Sequence, residues 1–251
     1  MGEGAVVVVT GAANGIGRAT ADALLASGCR IAAIDVDAGG LESLRASSPS
    51  MVAVARCDVA EPDDIDRAFD QLDQHFDQYT GVVCCAGINS YAAPDTMTVD
   101  EWDRFFAIDL RSSWLCARRA RQRFDLDGNP SVVVVSSIHA RMTTEGMFPY
   151  AAAKAGLEGL VRSLALDWGP SGIRVNAVAP GWTRTALVQE WLERQPDPES
   201  AKSTTDAVHA LRRIAEPQEV AAVIVFLLST AASAITGTTV TVDCGLTARF
   251  A

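Results

Sequence analysis

Seven short stretches of the chain, 5–9, 30–34, 51–56, 81–85, 131–136, 173–178 and 238–242, are apolar nearly throughout instead of at every second position. A strand covered on one face alternates apolar and polar residues, whereas a strand covered on both faces has no polar side to show. The intervals between these stretches are long enough for crossover helices. One of them shows the helical period openly: after Pro217, residues Val220, Val223, Ile224, Leu227 and Leu228 recur at i, i+3, i+4, i+7 and i+8. The pattern predicts an α/β fold with a Rossmann-like, doubly wound, parallel seven-stranded sheet flanked by helices on both faces. Neither an internal repeat nor a low-complexity linker divides the chain, so residues 1–251 are expected to form a single domain.

One interval breaks the rhythm. Between the sixth apolar run and the last helix lie Pro-Gly-Trp-Thr-Arg-Thr, a short helix expected at 187–194, and the polar stretch Gln-Pro-Asp-Pro-Glu-Ser-Ala-Lys-Ser-Thr-Thr. An insertion at the carboxyl end of a strand is where substrate loops are found, so a lid is expected at about 181–216.

Composition narrows the field. The formal net charge of −10 and pI near 4.7 set the chain's own field against nucleic acid and anionic lipid, so neither is expected as a partner. The longest wholly apolar run is nine residues, 220–228, too short to cross a bilayer, and no basic leader with a cleavage signal precedes the first strand. A cytoplasmic location is the expectation. Six cysteines form no CxxC pair, and three scattered histidines give no metal-ligand spacing, so reduced thiols and no metal are expected. Cys84 and Cys85 are adjacent, but neighbours on a strand point to opposite faces.

After the first strand comes Thr10-Gly11-Ala12-Ala13-Asn14-Gly15-Ile16-Gly17, followed by a helix expected from Arg18. Glycines at this spacing let the backbone turn sharply and bring amide N–H groups and a helix N-terminus against a pyrophosphate. Asp35, at the end of the second strand, can accept both hydroxyls of an adenosine ribose and would repel a 2′-phosphate. NAD is therefore favoured over NADP, with Arg18 and Arg45 the basic residues near enough to keep NADP as the lesser alternative.

The chemistry is marked by scarcity. Of 21 basic residues only two, Lys154 and Lys202, are lysines, and Lys154 follows Tyr150 by one helical turn. With three tyrosines and two lysines in the chain, chance gives that spacing a frequency of about 2%. A tyrosine of ordinary pKa near 10 is a poor acid or base at neutral pH, and an adjacent ammonium lowers that value by favouring the phenolate. Lys154 can also hydrogen-bond a nicotinamide ribose, and Ser137, closing the fifth strand, can hold a substrate oxygen in line with the phenol.

Together these residues resemble the short-chain dehydrogenase/reductase family over nearly the whole chain. The resemblance implies that Asp58 and Val59 contact the adenine, that Ala86 and Gly87 lie in the cofactor site, and that Ser137, Tyr150 and Lys154 are catalytic. It further implies that Pro180, Gly181, Thr183 and Thr185 hold the nicotinamide carboxamide and that the protein is a homotetramer. Two positions depart from the family. Cys84-Cys85-Ala86-Gly87 stands where Asn-Asn-Ala-Gly is usual, replacing an amide with a weak thiol donor, and Asp109 stands where the fourth catalytic residue is an Asn.

The implied substrate is an alcohol or ketone, with Asn89, Tyr91, His139, Arg141, Glu145, Met147, Trp182 and Arg184 as pocket candidates. His139, Glu145, Trp182 and Arg184 point to a small hydroxylated molecule such as a sugar or polyol; a loop histidine bonding nearby backbone is the plainer account of His139. A 3-oxoacyl-thioester reductase is the runner-up, disfavoured by repulsion of an acidic carrier protein and by Asp35. The alternative outside enzymes is an NAD-binding module whose turnover is impaired by Cys85 and Asp109.

Overall fold

The seven runs form one parallel sheet in the order β3-β2-β1-β4-β5-β6-β7. The computed structural model describes all residues except 1, 3, 91 and 249–251, so Tyr91 lies outside the described residues. The strands are β1 (Val6–Thr10), β2 (Arg30–Asp35), β3 (Val52–Arg56), β4 (Gly81–Cys84), β5 (Ser131–Val135), β6 (Arg174–Pro180) and β7 (Thr239–Val242). The helices are α1 (Gly15–Ala26), α2 (Ala38–Ser47), α3 (Pro62–Leu72), α4 (Val99–Phe106), α5 (Ser112–Arg121), α6 (Tyr150–Trp168), α7 (Ala186–Glu193), α8 (Pro198–Ala207) and α9 (Pro217–Leu228).

The continuous apolar runs are explained by what covers them. On β1, Val6 and Val8 pack into one core with Phe69 of α3, Leu115 of α5 and Leu157 of α6, while Val7 and Val9 pack into a second with Leu24 of α1, Leu41 of α2 and Ile224 of α9. Every β1 side chain is buried, because each face of the sheet carries its own layer of helices. The predicted α9 stripe lies in the second core. Cys84 and Cys85 part in the same way: Cys84 lies in the first core and Cys85 packs against the second.

Buried polar residues join the layers. The Arg174 guanidinium donates to the carbonyls of Leu227, Leu228, Ser229 and Ala232, satisfying the end of α9 with a cation where the helix dipole is negative. Asn176 ties β6 to the approach to β7, donating to the Ile235 carbonyl at 2.8 Å and accepting from the Thr238 amide. A parallel sheet opens a crevice at its carboxyl edge where crossovers diverge, and here that point lies between β1 and β4, with β2 on the other side of β1.

The sequence misplaced two helices. α1 starts at Gly15, three residues ahead of expectation, with the last two loop glycines in its first turn. The polar stretch after Pro196 contains a helix, α8, started by Asp197 accepting from the Ser200 amide and by Pro198 in the first turn. The 181–216 excursion thus carries α7 and α8, and its ends are pinned together: Thr183 bridges Ala215, and Arg184 N donates to the Ala215 carbonyl at 2.8 Å.

Candidate active site

The glycine loop closes on itself too tightly for side chains. Gly11 and Gly15 have φ of +67° and +55°, conformations that a side chain strains. A Cβ on Gly17 would lie 2.0 Å from the Gly11 carbonyl oxygen, and one on Gly11 2.9 Å from the Ala86 amide nitrogen. Asn14, at the N-cap of α1, gives no side-chain cap, since it turns away and donates to Asp37 at 3.0 Å. An uncapped helix start beside a glycine loop is what an anionic group requires. Ile16 anchors the turn in the core, its carbonyl accepting from the Thr20 hydroxyl at 2.7 Å.

Asp35 ends β2 with its carboxylate already aimed. Oδ2 accepts from the Ala13 amide and Oδ1 from the Asp37 amide, both at 2.9 Å. Asp37, which the sequence reading passed over, caps α2 through the amides of Gly39 and Gly40 and latches the loop through Asn14. The Gly40 amide and the Asn14 side chain hold its carboxyl below the ordinary carboxylate value. Arg18 pairs with Asp22 and Arg45 with Glu42, each within its own helix, and neither is bonded to Asp35. Asp58 accepts from the Ala60 amide and pairs with Arg104 at 2.6 Å; although burial opposes it, that pairing holds its carboxyl low. Val59 beside it is buried.

Thr10 explains how the sheet tolerates Cys85. Its hydroxyl accepts from the amides of Cys85 at 3.1 Å and Ala86 at 3.2 Å, so the β1–β4 seam is tied from β1. Burial pushes the Cys85 thiol up to about 12 and keeps it protonated.

Tyr150 opens α6 half-buried, and the Lys154 ammonium sits 5.2 Å from the centre of its ring. Lys154 is buried, held by the Ser136 hydroxyl on its backbone carbonyl and by the Asp109 carboxylate 3.1 Å from Nζ. Burial alone lowers its pKa, but Asp109 and then Tyr150 outweigh burial and raise it above the ordinary lysine value. Asp109 lies in a π-helical turn, Ala107–Arg111, between α4 and α5, and its Oδ1 accepts from the Ile88 amide at 2.7 Å. A side chain on Gly87 would press on both members of the pair, at 3.2 Å from Asp109 and 3.3 Å from Lys154.

Ser137 follows β5, its Oγ accepting from the His139 amide at 3.2 Å. His139 stands edge-on to Tyr150 with ring centres 5.7 Å apart, and its Nδ1 meets the Thr143 hydroxyl at 3.0 Å, a side chain and not backbone. Burial lowers its pKa, favouring the neutral ring. Pro180 ends β6 and Gly181 follows it, Thr183 Oγ1 donates to the Gly181 carbonyl, and Thr185 caps α7. Thr185 also closes over the phosphate loop, its methyl 3.3 Å from where a Gly15 Cβ would stand. Trp182 packs on Trp191 of α7 with ring centres 4.8 Å apart. Arg184 is spent on Glu216 at 2.8 Å, and Arg141 on the buried Glu158 at 3.0 Å, whereas Glu145 is exposed on the loop before Tyr150.

The chain as a whole is similar to known proteins. A family model described as Enoyl-(Acyl carrier protein) reductase matches residues 11–247. The cis-4-hydroxycyclohexanecarboxylate dehydrogenase of Sinomonas cyclohexanicum is 38% identical over 97% of this chain and 96% of its own. The D-threitol dehydrogenase of Mycolicibacterium smegmatis is 33% identical over 98% and 94%. The ligand-free structure of Thermoplasma acidophilum aldohexose dehydrogenase superposes with a TM-score of 0.88 at 32% identity, covering 99% of this chain and 96% of that one. The uncapped helix start, the aimed Asp35 and the buried lysine beside Tyr150 accord with these likenesses: the chain belongs to the short-chain dehydrogenase/reductase family and is an oxidoreductase that moves a hydride between a nicotinamide cofactor and the carbon of an alcohol or carbonyl group.

Proposed function

We propose that the protein is a cytoplasmic, homotetrameric, NAD-dependent dehydrogenase of a small hydroxylated molecule, a sugar, a polyol or a hydroxylated ring. The observation that carries the reading is the buried Lys154 ammonium held 5.2 Å from the Tyr150 ring, at the end of the sheet where Ser137 emerges. Tyr150 takes the proton of the substrate hydroxyl during oxidation, or returns it during reduction. Ser137 holds the substrate oxygen beside the phenol. The nicotinamide, when bound, accepts or donates the hydride.

Gly11, Asn14, Gly15, Ile16 and Gly17 would receive the pyrophosphate, and Asp58, Val59, Ala86 and Gly87 the adenosine side of the crevice. Pro180, Gly181, Thr183 and Thr185 would hold the carboxamide, with Tyr150 and Lys154 on the nicotinamide ribose. Asp35 supports NAD: its two oxygens are already fixed by backbone amides, and a 2′-phosphate there would meet a carboxylate with Arg18 and Arg45 engaged elsewhere.

His139 and Trp182 line the substrate side, with Glu145 on the loop above. The names of the relatives, which act on a hydroxylated cyclohexane acid, a tetritol and an aldohexose, support a polar hydroxylated substrate. Steady-state turnover with NAD and NADP over a panel of sugars, polyols, cyclic alcohols and a 3-hydroxyacyl thioester tests this. Turnover of at least one polyol, sugar or cyclic alcohol with NAD is the expected result. Activity confined to the thioester, or to NADP, would overturn the substrate or cofactor assignment respectively.

A further inference from the structure

Where an amide at position 109 would be neutral, this chain buries a second charge. Asp109 and Lys154 are 1% and 5% exposed, and their charged atoms stand 3.1 Å apart. The other groups around the ammonium are the Tyr150 hydroxyl from its own helix, the Cys85 thiol just after β4 and the Val135 carbonyl at 3.5 Å from β5. Asp109 is the only carboxylate paired with Lys154 among the described residues. An Asn at 109 would retain the bond from the Ile88 amide through its carbonyl oxygen, and would leave the ammonium without its counter-charge.

That difference acts on a cofactor whose own charge changes during the reaction. The nicotinamide ring carries a positive charge when oxidised and none when reduced, so an unpaired lysine beside it repels only the oxidised form. With Asp109 present the buried pair has no net charge, and the repulsion is cancelled. Resting on the reading that places Lys154 at the nicotinamide ribose, we propose that Asp109 sets the site's preference for the oxidised cofactor, so that the enzyme loads NAD+ readily and releases NADH. It is a positioning residue, acting through Lys154 and through the field at the ring. A unit charge within a few ångströms, at an effective dielectric of about 20, is large enough to change relative affinity by roughly tenfold or more.

The test is direct binding of NAD+ and of NADH, titrated separately by calorimetry into the full-length enzyme at pH 6, well below the ordinary lysine value. Wild type is compared with Asp109→Asn and with Asp109→Ser, which carries the test if the first variant does not fold. The ratio Kd(NAD+)/Kd(NADH) is expected to rise about tenfold in the folded variants, with NADH affinity little changed, equivalent to raising the bound couple's potential by about 30 mV. A ratio within twofold of wild type, or an equal loss of both affinities, would overturn the proposal and leave Asp109 a purely structural residue. Failure of the wild type to bind either form would overturn the cofactor reading as well, which separates the two.

Discussion

The two halves of the sheet's carboxyl edge are built on opposite plans. On the half proposed for the nucleotide, backbone does the positioning: a helix start without an Asn14 cap, glycines that admit no side chain, and a carboxylate fixed by two amides. On the half proposed for substrate stands an excursion carrying two short helices, joined at its base by one bridge and by a part-exposed ion pair. A site that accepts one invariant cofactor gains from rigidity, whereas a site that distinguishes substrates sits on connections whose sequence can vary without disturbing the core. Between them stands α6, whose first turn supplies Tyr150 and Lys154 from a rigid element.

Breaking the chemistry while sparing both halves should have the largest effect. Tyr150→Phe is expected to lower kcat by about 10²–10⁴-fold with NAD affinity within a few-fold of wild type; turnover near wild type would remove Tyr150 from proton transfer. Next comes the rigid half. Gly17→Ala forces a Cβ to 2.0 Å from a carbonyl oxygen, so the loop must deform. We expect NAD affinity to fall by more than tenfold and the melting temperature by about 5 °C, as for an overpacking cost of about 1–3 kcal/mol. Binding and melting both unchanged would show the loop to be pliant. Asp35→Ala should then relax the NAD preference over NADP by about tenfold in kcat/KM, without loss of fold.

The smallest effect belongs to the lid. Arg184 and Glu216 form a pair accessible to water on both sides, of a type that contributes about 0–1 kcal/mol. Arg184→Ala should therefore alter KM by no more than about threefold. A loss above tenfold in kcat/KM, rescued by Arg184→Lys, would mean that Arg184 leaves Glu216 to bind substrate, and the contrast between the halves would need redrawing.

β1 and β4 were legible because burial on both faces leaves no polar position along most of their length, whereas β7 alternates threonine and valine and is only partly buried. α8 was not legible: none of its residues is buried, so it has no apolar stripe, and only Asp197 and Pro198 mark its start. α1 was expected to start late because Gly15 and Gly17 are weak helix formers, yet they stand in its first turn, where neighbouring groups leave little room for a side chain. Within the site, Tyr150 and Lys154 were readable from helical spacing alone. Asp37 was not, since its importance lies in which amides the folded loop turns toward it. Arg184 looked available because its partner, Glu216, lies 32 residues away in sequence.

The Thr10 hydroxyl ties the seam between β1 and β4 from the β1 side, accepting from the amides of Cys85 and Ala86. One oxygen thus serves two donors, which makes the seam a single point of failure. Thr10→Val keeps the shape of the side chain and strands both amides at once, each at the cost of an unmade hydrogen bond.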